Sequence, residues 1–542
     1  MTSVYRVVGP PGTGKTTYVA HQCRLAVDKF GPAGVTVCSL TRAAAREAAG
    51  RDTGLDPENI GTLHALCFRG LGRPAIIKGA HLKSWNEEHP KMAMSAGAVK
   101  RGLDGEGGAP KAKKDYLGDS LLERTDLLRQ RCIDKDAWPN DVASFYTAWN
   151  EFKELVGAVD FTDLIAQGLE RLPYAPGRPS ALFVDEAQDL SRLEMALVQK
   201  WGDATENLVV VGDPYQALYS WRGADQHIFS GKIHKTLGQS YRIPRRVHEL
   251  ALSIIQRSSD WREEIVYEPM KREGSLHRLP FSSDEPDEFV HWLSTIPPDE
   301  TVMILASCDY ILDPIKAKLK HEGIPYGNPY SHRWNPMSKE ARKSVEALLY
   351  PSRHAIRDYH GGDASHYHWK PDHLRELADI LVTADPRDAA STGGIWRGRR
   401  KALAECREDL DAHEAAQLAR DNLTAHAIDC VMDLNYPALR SLLRNDQETV
   451  AYTLAAVERF GWSVLTKQPR LILGTIHSVK GGEADHVAII PDLSQAGGEQ
   501  MACEGWNERD AIHRLFYVAV TRAKQSVFVL RRRGASTPAY NF

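Results

Sequence analysis

A glycine-rich segment near the start of the chain constrains its fold more than any other feature. A β-branched run at residues 4–8 leads directly into the sequence GPPGTGKT at residues 9–16, and a periodic segment at residues 17–29 follows. This order of strand, loop and helix is typical of a phosphate-binding loop. In such a loop the glycines let backbone N–H groups surround a phosphate, and the helix directs its positive dipole end towards it. The pattern therefore predicts a site for a phosphorylated ligand.

The loop supplies most of the predicted phosphate contacts. Lys15 is expected to reach the β- and γ-phosphates, and the hydroxyl of Thr16 is expected to hold Mg²⁺. A chance Gly-Lys turn is the alternative, and the full pattern between a strand and a helix argues against it. The predicted nucleotide-binding residues of this segment are Gly9, Gly12, Thr13, Gly14, Lys15, Thr16 and Thr17.

Paired acids follow a second apolar strand. The sequence SALFV at residues 180–184 ends in DEAQD at residues 185–189. Adjacent carboxylates at the end of a buried strand are costly unless they serve a metal or a reaction. Asp185 is therefore predicted to bind Mg²⁺, and Glu186 to act as the base that orients the attacking water. Together with Lys15, they predict binding and hydrolysis of a nucleoside triphosphate.

Further apolar segments that end in polar clusters predict a second, similar half. They are LVVVGDPYQ at residues 208–216, LILGTIHS at residues 471–478 and LFYVAVTRA at residues 515–523. The last of these contains Arg522, which lies far along the chain from the phosphate-binding loop. An arginine in that position suggests an arginine finger that acts across a cleft.

In their order along the chain, these segments resemble the motifs of superfamily 1 DNA helicases of the UvrD/Rep/PcrA type. The wording GPPGTGK is more usual in a branch with RNA-directed helicases, whereas HSVKG and YVAVTRA resemble the UvrD branch and favour it. The matching segments are motif I at 9–16, Ia at 39–45, Ib at 61–64, a pre-II segment at 160–164, II at 185–189, III at 212–223, IV at 239–242, V at 477–483 and VI at 517–523.

The resemblance implies a complete site for ATP and Mg²⁺. Gln216, Arg242 and Arg522 would contact the γ-phosphate, and Arg522 would supply charge to the transition state. Tyr241 would stack on the nucleotide base, and Glu483 would meet the ribose. The implied catalytic residues are Lys15, Asp185, Glu186, Gln216, Arg242 and Arg522, and the implied Mg²⁺ ligands are Thr16 and Asp185.

The resemblance also implies a path for single-stranded DNA. Trp221 would stack on a base, and Arg222 would link that platform to the nucleotide. Stacking of this kind tolerates any sequence and contributes about 1–3 kcal/mol per base, which suits a motor that steps along DNA. Taken singly, Trp221 could equally be a core aromatic residue and His64 a buried histidine. The implied DNA contacts are Thr41, Arg42, Thr62, His64, Tyr219, Trp221, Arg222 and His477.

The implied fold is α/β, with two RecA-like parallel-sheet P-loop domains that each carry a mainly helical insertion. The length of the chain is compatible with three or four domains. The predicted boundaries are 1–77 and 147–240 for the first RecA-like domain, 78–146 for its small insertion, 241–332 and 465–542 for the second RecA-like domain, and 333–464 for the second insertion.

Several departures from the family pattern modify these expectations. Only residues 1–8 precede the loop, so the family's adenine-reading helix is absent, and Thr17 stands where the family usually has Arg. We expect weaker discrimination of ATP from GTP and CTP. Both insertions are shorter than those expected for the family. We therefore expect translocation along DNA more firmly than the ability to separate strands. The cluster WRGRRK at residues 396–401 is the best candidate for a duplex contact, with a plain surface as the alternative. Five histidines at residues 354–373 match no metal-ligand spacing.

Composition sets the remaining expectations. A formal charge of −3 leaves nucleic-acid binding open, since a basic groove can lie on a near-neutral protein. No apolar run reaches the roughly 18 residues of a membrane helix. The eight cysteines contain no CxxC pair, which indicates reduced thiols. We expect a cytoplasmic protein that binds single-stranded and tailed duplex DNA and no membrane, and a protein partner is left open.

The predicted function is that of an ATP-dependent DNA helicase or translocase that couples ATP hydrolysis to strand separation. Movement along single-stranded DNA in the 3′–5′ direction is implied by the resemblance alone. One alternative is a DNA-activated ATPase switch, or an effector subunit of a complex, with little unwinding of its own. A second is a nucleotide-controlled binding module. ATPase activity that depends on DNA without strand separation would indicate the first, and activity indifferent to DNA the second.

Overall fold

The structure is a computed structural model, and its secondary structure is described over most of the chain. The described residues are 4–39, 54–98, 116–219, 223–224, 229–331, 336–353, 369–385, 393–503 and 506–542.

The described residues contain strands of two to seven residues. Numbered in chain order, they are β1 (Val4–Val8), β2 (Val35–Ser39), β3 (Ile60–Thr62), β4 (Ala181–Asp185), β5 (Asn207–Gly212), β6 (Lys235–Thr236), β7 (Gln239–Pro244), β8 (Glu268–Met270), β9 (Ser275–Arg278), β10 (Val302–Ala306), β11 (Tyr326–Gly327), β12 (Thr383–Ala384), β13 (Ile395–Trp396), β14 (Leu471–Thr475), β15 (Ala484–Ile489) and β16 (Ala523–Val529).

The first six strands form one sheet in the order β3-β2-β4-β5-β1-β6, and every adjacent pair is parallel. All side chains of β2 and β4 are buried, as expected for parallel strands that are covered on both faces. Val19 and Cys23 of the helix that follows the glycine-rich loop pack against this sheet. Because all six strands run the same way, the loops that follow β1, β3, β4 and β5 meet at one edge.

A second six-stranded sheet has the order β11-β14-β10-β15-β16-β9. The pairs β11–β14, β15–β16 and β16–β9 are parallel. Strand β10 has the sequence VMILA and is buried throughout. Two further parallel pairs, β7–β8 and β12–β13, lie outside the six-stranded sheets. These sheets and their helices confirm the predicted α/β fold with two RecA-like halves.

Helices connect the strands and fill the segments predicted as insertions. They are Lys15–Phe30, Leu63–Gly70, Gly79–Glu88, Leu117–Gln130, Asn140–Leu155, Phe161–Arg171, Arg192–Asp203, Arg245–Ile255, Pro286–Thr295, Asp313–His321, Lys339–Arg353, Pro371–Ile380, Arg400–Ala404, Ala412–Asn422, Ala425–Met432, Tyr436–Ser441, Glu448–Phe460, Gln495–Ala502 and Trp506–Val520. None of the helices in the described part of the chain has the length and apolar content needed to cross a membrane.

The first insertion has a hydrophobic core of its own. Trp85 contacts Phe145, Trp149 and Phe152 edge-to-face, with ring centroids 5.0–5.8 Å apart. Such aromatic pairs contribute about 0.5–1.5 kcal/mol each beyond the area they bury. The cluster continues through residues from Ile77 to Ala158. These short helices are therefore held together by aromatic packing rather than by their individual propensities.

The chain divides into two compact units that do not coincide with the four predicted segments. Helix Asn140–Leu155 is continuous across residues 146 and 147, so a boundary there would divide a helix. The predicted boundaries remain a prediction. The first unit comprises Met1–Leu279, Leu305–Cys308 and Thr475–Phe542, and the second comprises Pro280–Ile304 and Asp309–Gly474.

Candidate nucleotide and nucleic-acid site

The glycine-rich loop begins where β1 ends, and its shape depends on its glycines. The N–H of Gly9 donates to the carbonyl oxygen of Gly212 at the end of β5, at 2.9 Å. Gly12 and Gly14 have φ angles of 72° and 79°, in the left-handed region that side chains disfavour. A Cβ atom on Gly12 would also lie 2.5 Å from the Cβ of Arg242. The backbone thus forms a tight cradle that only glycine permits.

Lys15 begins the helix that follows this loop. Its Nζ donates to the carbonyl oxygen of Gly9 at 2.9 Å, so the ammonium group lies over the mouth of the loop. Thr13 closes the turn, because its hydroxyl donates to the carbonyl oxygen of Pro10 at 2.8 Å. Thr16 is the second residue of the helix, next to Lys15, and Thr17 is exposed. The predicted phosphate ligands therefore lie within one loop and the first helical turn.

Strand β7, which contains motif IV, is joined directly to this loop. The hydroxyl of Ser240 donates to the carbonyl oxygen of Pro11 at 2.8 Å, and the N–H of Tyr241 donates to the carbonyl oxygen of Gly12 at 2.9 Å. Ser240 is fully buried, and its oxygen also accepts from the N–H of Ile243 at 3.1 Å. These bonds fix the loop against the strand that presents Tyr241 and Arg242.

The paired acids lie at the carboxyl end of β4. Asp185 is buried, and its Oδ1 accepts from the N–H of Glu186 at 2.9 Å. Glu186 has a φ of 53°, an uncommon conformation for a residue with a side chain and one that often accompanies function. Burial alone would raise the pKa of Glu186, but the positive charges of Lys15 and Lys480 hold it below its ordinary value. Glu186 is thus an ionised carboxylate near neutral pH.

A chain of hydrogen bonds connects Glu186 to Arg522. Gln188 donates from Nε2 to Oε2 of Glu186 and accepts at Oε1 from the N–H of Asp213, at 3.0 Å. Asp213 accepts from Nε2 of Gln216 at 2.6 Å, and Oε1 of Gln216 accepts from Nη2 of Arg522 at 2.9 Å. In both Gln188 and Gln216, the amide nitrogen donates to one neighbour in the chain and the amide oxygen accepts from the other. Motifs II, III and VI therefore form one network.

Arg522 is buried, and its guanidinium is held from several sides. Its Nε donates to the carbonyl oxygen of Val518 at 3.0 Å, and Nη1 donates to that of Gly482 at 3.2 Å. Burial lowers the pKa of Arg522 to about 10, and nearby Arg242 acts in the same direction. The side chain remains positively charged at neutral pH. A buried cation at this place can stabilise negative charge that develops on a phosphate.

Lys480 of motif V joins motifs II and III from the other side. Its ammonium group forms an ion pair with Asp189, and it donates to the carbonyl oxygen of Gln216 at 2.7 Å. It also lies 5.0 Å from the centre of the Tyr219 ring, in a cation–π contact. Since Asp189 is buried, loss of Lys480 would leave its carboxylate without this charge partner.

Arg242 and Glu483, two residues predicted to contact the nucleotide, form an ion pair at 2.7 Å. Lys524 contacts the other oxygen of Glu483 at 3.0 Å. Burial alone would raise the pKa of Glu483. The positive charges of Arg242 and Lys524 lower it by more, so the pKa of Glu483 is below its ordinary value. Tyr241 is 75% exposed, which leaves a face of its ring open for stacking. The motif IV and V residues thus lie together at the mouth of the site.

The residues predicted to hold Mg²⁺ have suitable chemistry. Thr16 offers a hydroxyl oxygen and Asp185 a carboxylate, and Mg²⁺ prefers oxygen ligands. Within the described residues, no group of three or more His, Cys, Asp or Glu side chains forms a ready-made metal site. One or two protein ligands together with phosphate oxygens are the usual environment of Mg²⁺ beside a nucleotide. The oxygen donors present therefore fit Mg²⁺ bound together with a triphosphate.

The predicted DNA contacts are only partly described. Thr41, Arg42, Trp221 and Arg222 lie outside the described residues. Thr62 ends β3 and caps helix Leu63–Gly70, where its hydroxyl accepts from the N–H of Ala65 at 3.2 Å. His64 is largely buried, with its Nδ1 4.0 Å from a carboxylate oxygen of Glu194. Thr62 and His64 therefore both contact neighbouring protein groups, and their predicted contacts with DNA remain a prediction.

Tyr219 and His477 lie close to each other, with ring centroids 6.5 Å apart. Burial lowers the pKa of His477 to about 4, and the positive charge of Lys480 contributes. The imidazole is therefore neutral at physiological pH. These two rings and Lys480 link the predicted DNA path to the nucleotide network.

Four residues of this network had no role in the sequence prediction. Gln188, Asp213, Ser240 and Lys480 all lie inside the motifs, but they contact other protein groups rather than the expected ligand. Their motif positions were the only available signal. The pairings depend on which elements meet, and a linear sequence does not contain that information.

Two arginines of the basic cluster at residues 396–401 contact groups within the protein. Arg400 donates from Nη2 to the carbonyl oxygen of Leu381 at 2.6 Å, and Arg397 pairs with Asp385 at 2.9 Å. Of the histidines at residues 354–373, only His373 lies within the described part of the chain, where it is buried against Tyr350. These contacts favour a structural role for Arg400 and His373.

The fold and the site define a P-loop protein with two RecA-like halves. A family model described as the UvrD/REP helicase N-terminal domain matches residues 1–236. Its range includes the glycine-rich loop, the paired acids and motif III. This match and the relatives below confirm the predicted resemblance.

Curated relatives support the same assignment. The ATP-dependent DNA helicase PcrA of Staphylococcus epidermidis is 27% identical over 282 aligned positions, and the match covers 47% of this chain and 38% of that protein. The PcrA of Bacillus subtilis is 26% identical over 272 residues, 46% of this chain and 37% of that protein. The PcrA of Staphylococcus aureus is 28% identical over 296 residues, with shares of 47% and 38%. The match thus spans less than two-fifths of the length of these relatives.

Proposed function

We propose that this protein is an ATP-dependent DNA motor of the UvrD/Rep/PcrA type that moves on single-stranded DNA. The observation that supports this most is the hydrogen-bond chain from Glu186 through Gln188, Asp213 and Gln216 to Arg522. It joins the proposed base to the proposed arginine finger. A protein that only binds a nucleotide has no need for a buried arginine and a carboxylate joined in this way.

Each residue has a distinct part in the proposed hydrolysis of ATP to ADP and phosphate. Lys15 would leave the carbonyl oxygen of Gly9 and neutralise the β- and γ-phosphates. Thr16 and Asp185 would hold Mg²⁺, which supplies charge neutralisation on the phosphate oxygens when bound. Glu186 would orient the attacking water and accept its proton, because its carboxylate is ionised.

Gln216 and Arg522 would complete the site around the γ-phosphate. The guanidinium of Arg522 already contacts Oε1 of Gln216, so both can turn towards the same oxygen atoms. Arg242 would exchange part of its ion pair with Glu483 for the phosphate. When phosphate leaves, these contacts would return to their present partners, and this cycle gives the motor two states.

The coupling of this cycle to DNA is the second part of the proposal. Tyr219 and His477 lie next to Lys480, which contacts both Asp189 and Gln216. A change at the γ-phosphate would therefore alter the support of residues on the proposed DNA path. Movement in the 3′–5′ direction is part of this proposal because the resemblance to the UvrD branch implies it.

The first experiment is a steady-state ATPase assay with no polymer, single-stranded DNA, duplex DNA and single-stranded RNA, with Lys15→Ala as the blank. We expect strong stimulation by single-stranded DNA only. Unwinding of 3′-tailed and 5′-tailed duplexes then tests the direction of movement, and we expect activity on the 3′-tailed substrate. ATP hydrolysis that no nucleic acid changes would contradict the proposal.

A DNA-activated ATPase switch or effector subunit remains the second candidate. The engagement of Arg397 and Arg400 in contacts within the protein favours it, since these residues were the best candidates for a duplex contact. DNA-stimulated ATPase without strand separation on either tailed duplex would support this candidate. We propose the cytoplasm as the location of the protein for both candidates. A protein partner is part of the proposal only for the second candidate.

A further inference from the structure

Helix Leu117–Gln130 of the first insertion ends against the segment that follows motif II. Its last residue, Gln130, is buried, and Oε1 of Gln130 accepts a hydrogen bond from the hydroxyl of Ser191. The same hydroxyl oxygen caps helix Arg192–Asp203 by accepting from the N–H of Glu194 at 3.2 Å. Ser191 lies two residues beyond Asp189 of motif II. The insertion is therefore bonded directly to the end of this motif.

The amide nitrogen of Gln130 also forms a hydrogen bond. Nε2 of Gln130 donates to the hydroxyl of Thr162 at 3.4 Å, and that hydroxyl donates to Oδ1 of Asp126 at 2.9 Å. The donors run in one direction, from Ser191 through Gln130 and Thr162 to Asp126. Chains of this kind strengthen each bond and resist rotation of any one member. The orientation of the Gln130 side chain is thus fixed from both sides.

Motif III packs against the same residue. Gly223 has a φ of 93°, and a Cβ atom placed on it would lie 3.0 Å from the Cβ of Gln130. Ala224 forms an antiparallel bridge with Ser191, and its N–H donates to the carbonyl oxygen of Tyr219 at 3.1 Å. The backbone after the proposed DNA platform is therefore held between Ser191 and Gln130.

Tyr219 and Ala224 are thus both attached to the region of motif II. Tyr219 contacts Lys480, which pairs with Asp189. Ala224 pairs with Ser191, two residues beyond motif II. A DNA strand that displaced Tyr219 or Ala224 would therefore act on this region. Gln130 belongs to the insertion, and it contacts both Ser191 and the backbone at Gly223.

We propose that Gln130 is a positioning residue that couples the binding of single-stranded DNA to the rate of ATP turnover. It does not touch the nucleotide, and it acts through Ser191 and Gly223. This inference rests on the proposed function, because it concerns the stimulation of ATP hydrolysis by the polymer. It assigns to the first insertion a part in that stimulation, in addition to any contact with DNA.

The test compares Gln130→Met with the wild type and with a control from the same helix. Methionine has a similar volume but makes neither hydrogen bond, so it disconnects Ser191 from Thr162. Arg124→Gln is the matched control, because Arg124 forms an exposed ion pair with Asp141 inside the insertion. Basal ATPase, DNA-stimulated kcat, the KM for ATP and the DNA concentration for half-maximal stimulation are measured for each.

We expect Gln130→Met to keep its basal rate and its KM for ATP within twofold of the wild type. DNA-stimulated kcat should fall at least fivefold. Ser191→Thr, which keeps a hydroxyl donor and cap, should retain stimulation, as should Arg124→Gln. A residue that only supports the fold would lower the basal and stimulated rates together.

A second variant, Thr162→Val, tests the same chain of hydrogen bonds in case Gln130→Met does not fold. Thr162→Val is nearly the same size and removes the hydroxyl that accepts from Gln130 and donates to Asp126. The bond from Ser191 to Gln130 remains, so we expect a smaller loss of stimulation in the same direction. Thermal unfolding confirms that each variant is folded. Stimulation equal to wild type in both variants, or parallel loss of basal activity, would overturn the coupling role alone. A wild-type protein that DNA does not stimulate would instead overturn the proposed function, and the coupling role with it.

Discussion

At the scale of single residues, the charged groups of the site contact one another. Lys15 contacts the carbonyl oxygen of Gly9, Arg242 contacts Glu483, and Arg522 contacts Gln216. Buried charges require such partners, because an uncompensated charge away from water is costly. Each of these contacts can be exchanged for a phosphate oxygen. The predictions at this scale test what single side chains of the site contribute.

The arginine finger is tested by Arg522→Ala. We expect kcat for ATP hydrolysis to fall about a thousandfold or more, the usual effect of removing such a charge. Binding of a fluorescent ATP analogue should change less than tenfold, because Lys15 and the loop remain. Arg532→Ala, an exposed position on the segment after β16, serves as the control. A kcat within tenfold of the wild type would remove Arg522 from the catalytic residues.

The attachment of β7 to the glycine-rich loop is tested by Ser240→Ala. The variant loses the bond to Pro11, and a hydrogen bond of this kind contributes about 1 kcal/mol. Because the loop would be less well ordered for phosphate, the KM for ATP should rise about fivefold. We expect kcat within twofold of the wild type. The exposed Ser253→Ala is the control, and an unchanged KM in Ser240→Ala would show that the loop needs no such support.

The neutral state of His477 gives a pH dependence with a definite sign. The folded pKa of about 4 is below the unfolded value of about 6.5, so the unfolded chain binds the proton first as the pH falls. The stability that His477 contributes is present above pH 6.5 and is lost towards pH 4. Between pH 7.5 and 5, we expect a loss of about 2 kcal/mol.

This pH dependence is measured by urea unfolding of the wild type and His477→Gln. The difference between pH 7.5 and 5 should be smaller in the variant by about 2 kcal/mol. His413→Gln, at an exposed position, should behave like the wild type. Equal pH dependence in the wild type and His477→Gln would mean that His477 titrates normally in the folded protein.

At the scale of elements, the first insertion is joined to the first RecA-like half through buried ion pairs. Lys153 contacts Asp160 and Asp163, each at 2.5 Å, and Arg129 contacts the same two carboxylates. Burial would raise the pKa of Asp160, but Arg129 and Lys153 hold it well below its ordinary value. Asp160 also caps helix Phe161–Arg171. One acid therefore serves the helix start and the interface with the insertion.

Removal of one cation from this cluster is expected to be costly. Lys153→Met should lower the free energy of unfolding by about 3 kcal/mol, because two buried carboxylates would share only Arg129. Guanidinium unfolding measures the loss, and limited proteolysis should show earlier cleavage within residues 78–160. The exposed pair Arg124–Asp141 gives the comparison, and Arg124→Gln should cost less than about 1 kcal/mol. Equal losses in the two variants would contradict the role of the buried cluster.

At the scale of the whole molecule, two sheets of six strands supply the residues of one site. The first sheet carries the glycine-rich loop and the paired acids, and elements around the second carry Glu483 and Arg522. All of these residues lie in the first compact unit. The second unit contains most of the helices between residues 339 and 460, and its basic residues Arg397 and Arg400 contact groups within the protein.

This distribution leads to an expectation for the whole protein. Because Arg400 donates to main-chain carbonyl oxygens and Arg397 pairs with Asp385, we expect movement along one strand to be more efficient than strand separation. We expect ATP-dependent displacement of streptavidin from the end of a biotin-labelled single strand at a rate well above that of unwinding a 3′-tailed duplex. Arg399→Ala, in the same cluster, should change neither rate by more than about twofold. Efficient unwinding by the wild type would contradict this expectation.

The sequence alone was sufficient for features that depend on local chemistry. The loop at residues 9–16 needs glycine and lysine at fixed positions, because only that spacing gives a cradle with left-handed turns and a cation at its mouth. The apolar runs that became β4, β5 and β14 also indicated buried parallel strands, since polar alternation would indicate an open face. The α/β class and the two RecA-like halves followed from these local signals together with the resemblance of the ordered motifs to the UvrD/Rep/PcrA type.

Only the tertiary structure decided which distant groups meet. The bonds of Gln216 to Arg522, Ser240 to Pro11 and Gln130 to Ser191 join residues that are between 61 and 306 positions apart. Their identity depends on strand order and on how helices pack, and neither is encoded at any single position. Local residue chemistry therefore determined what this protein can bind. The packing of its elements determined which side chains hold that site in place, because buried polar groups must find partners wherever the fold brings them together.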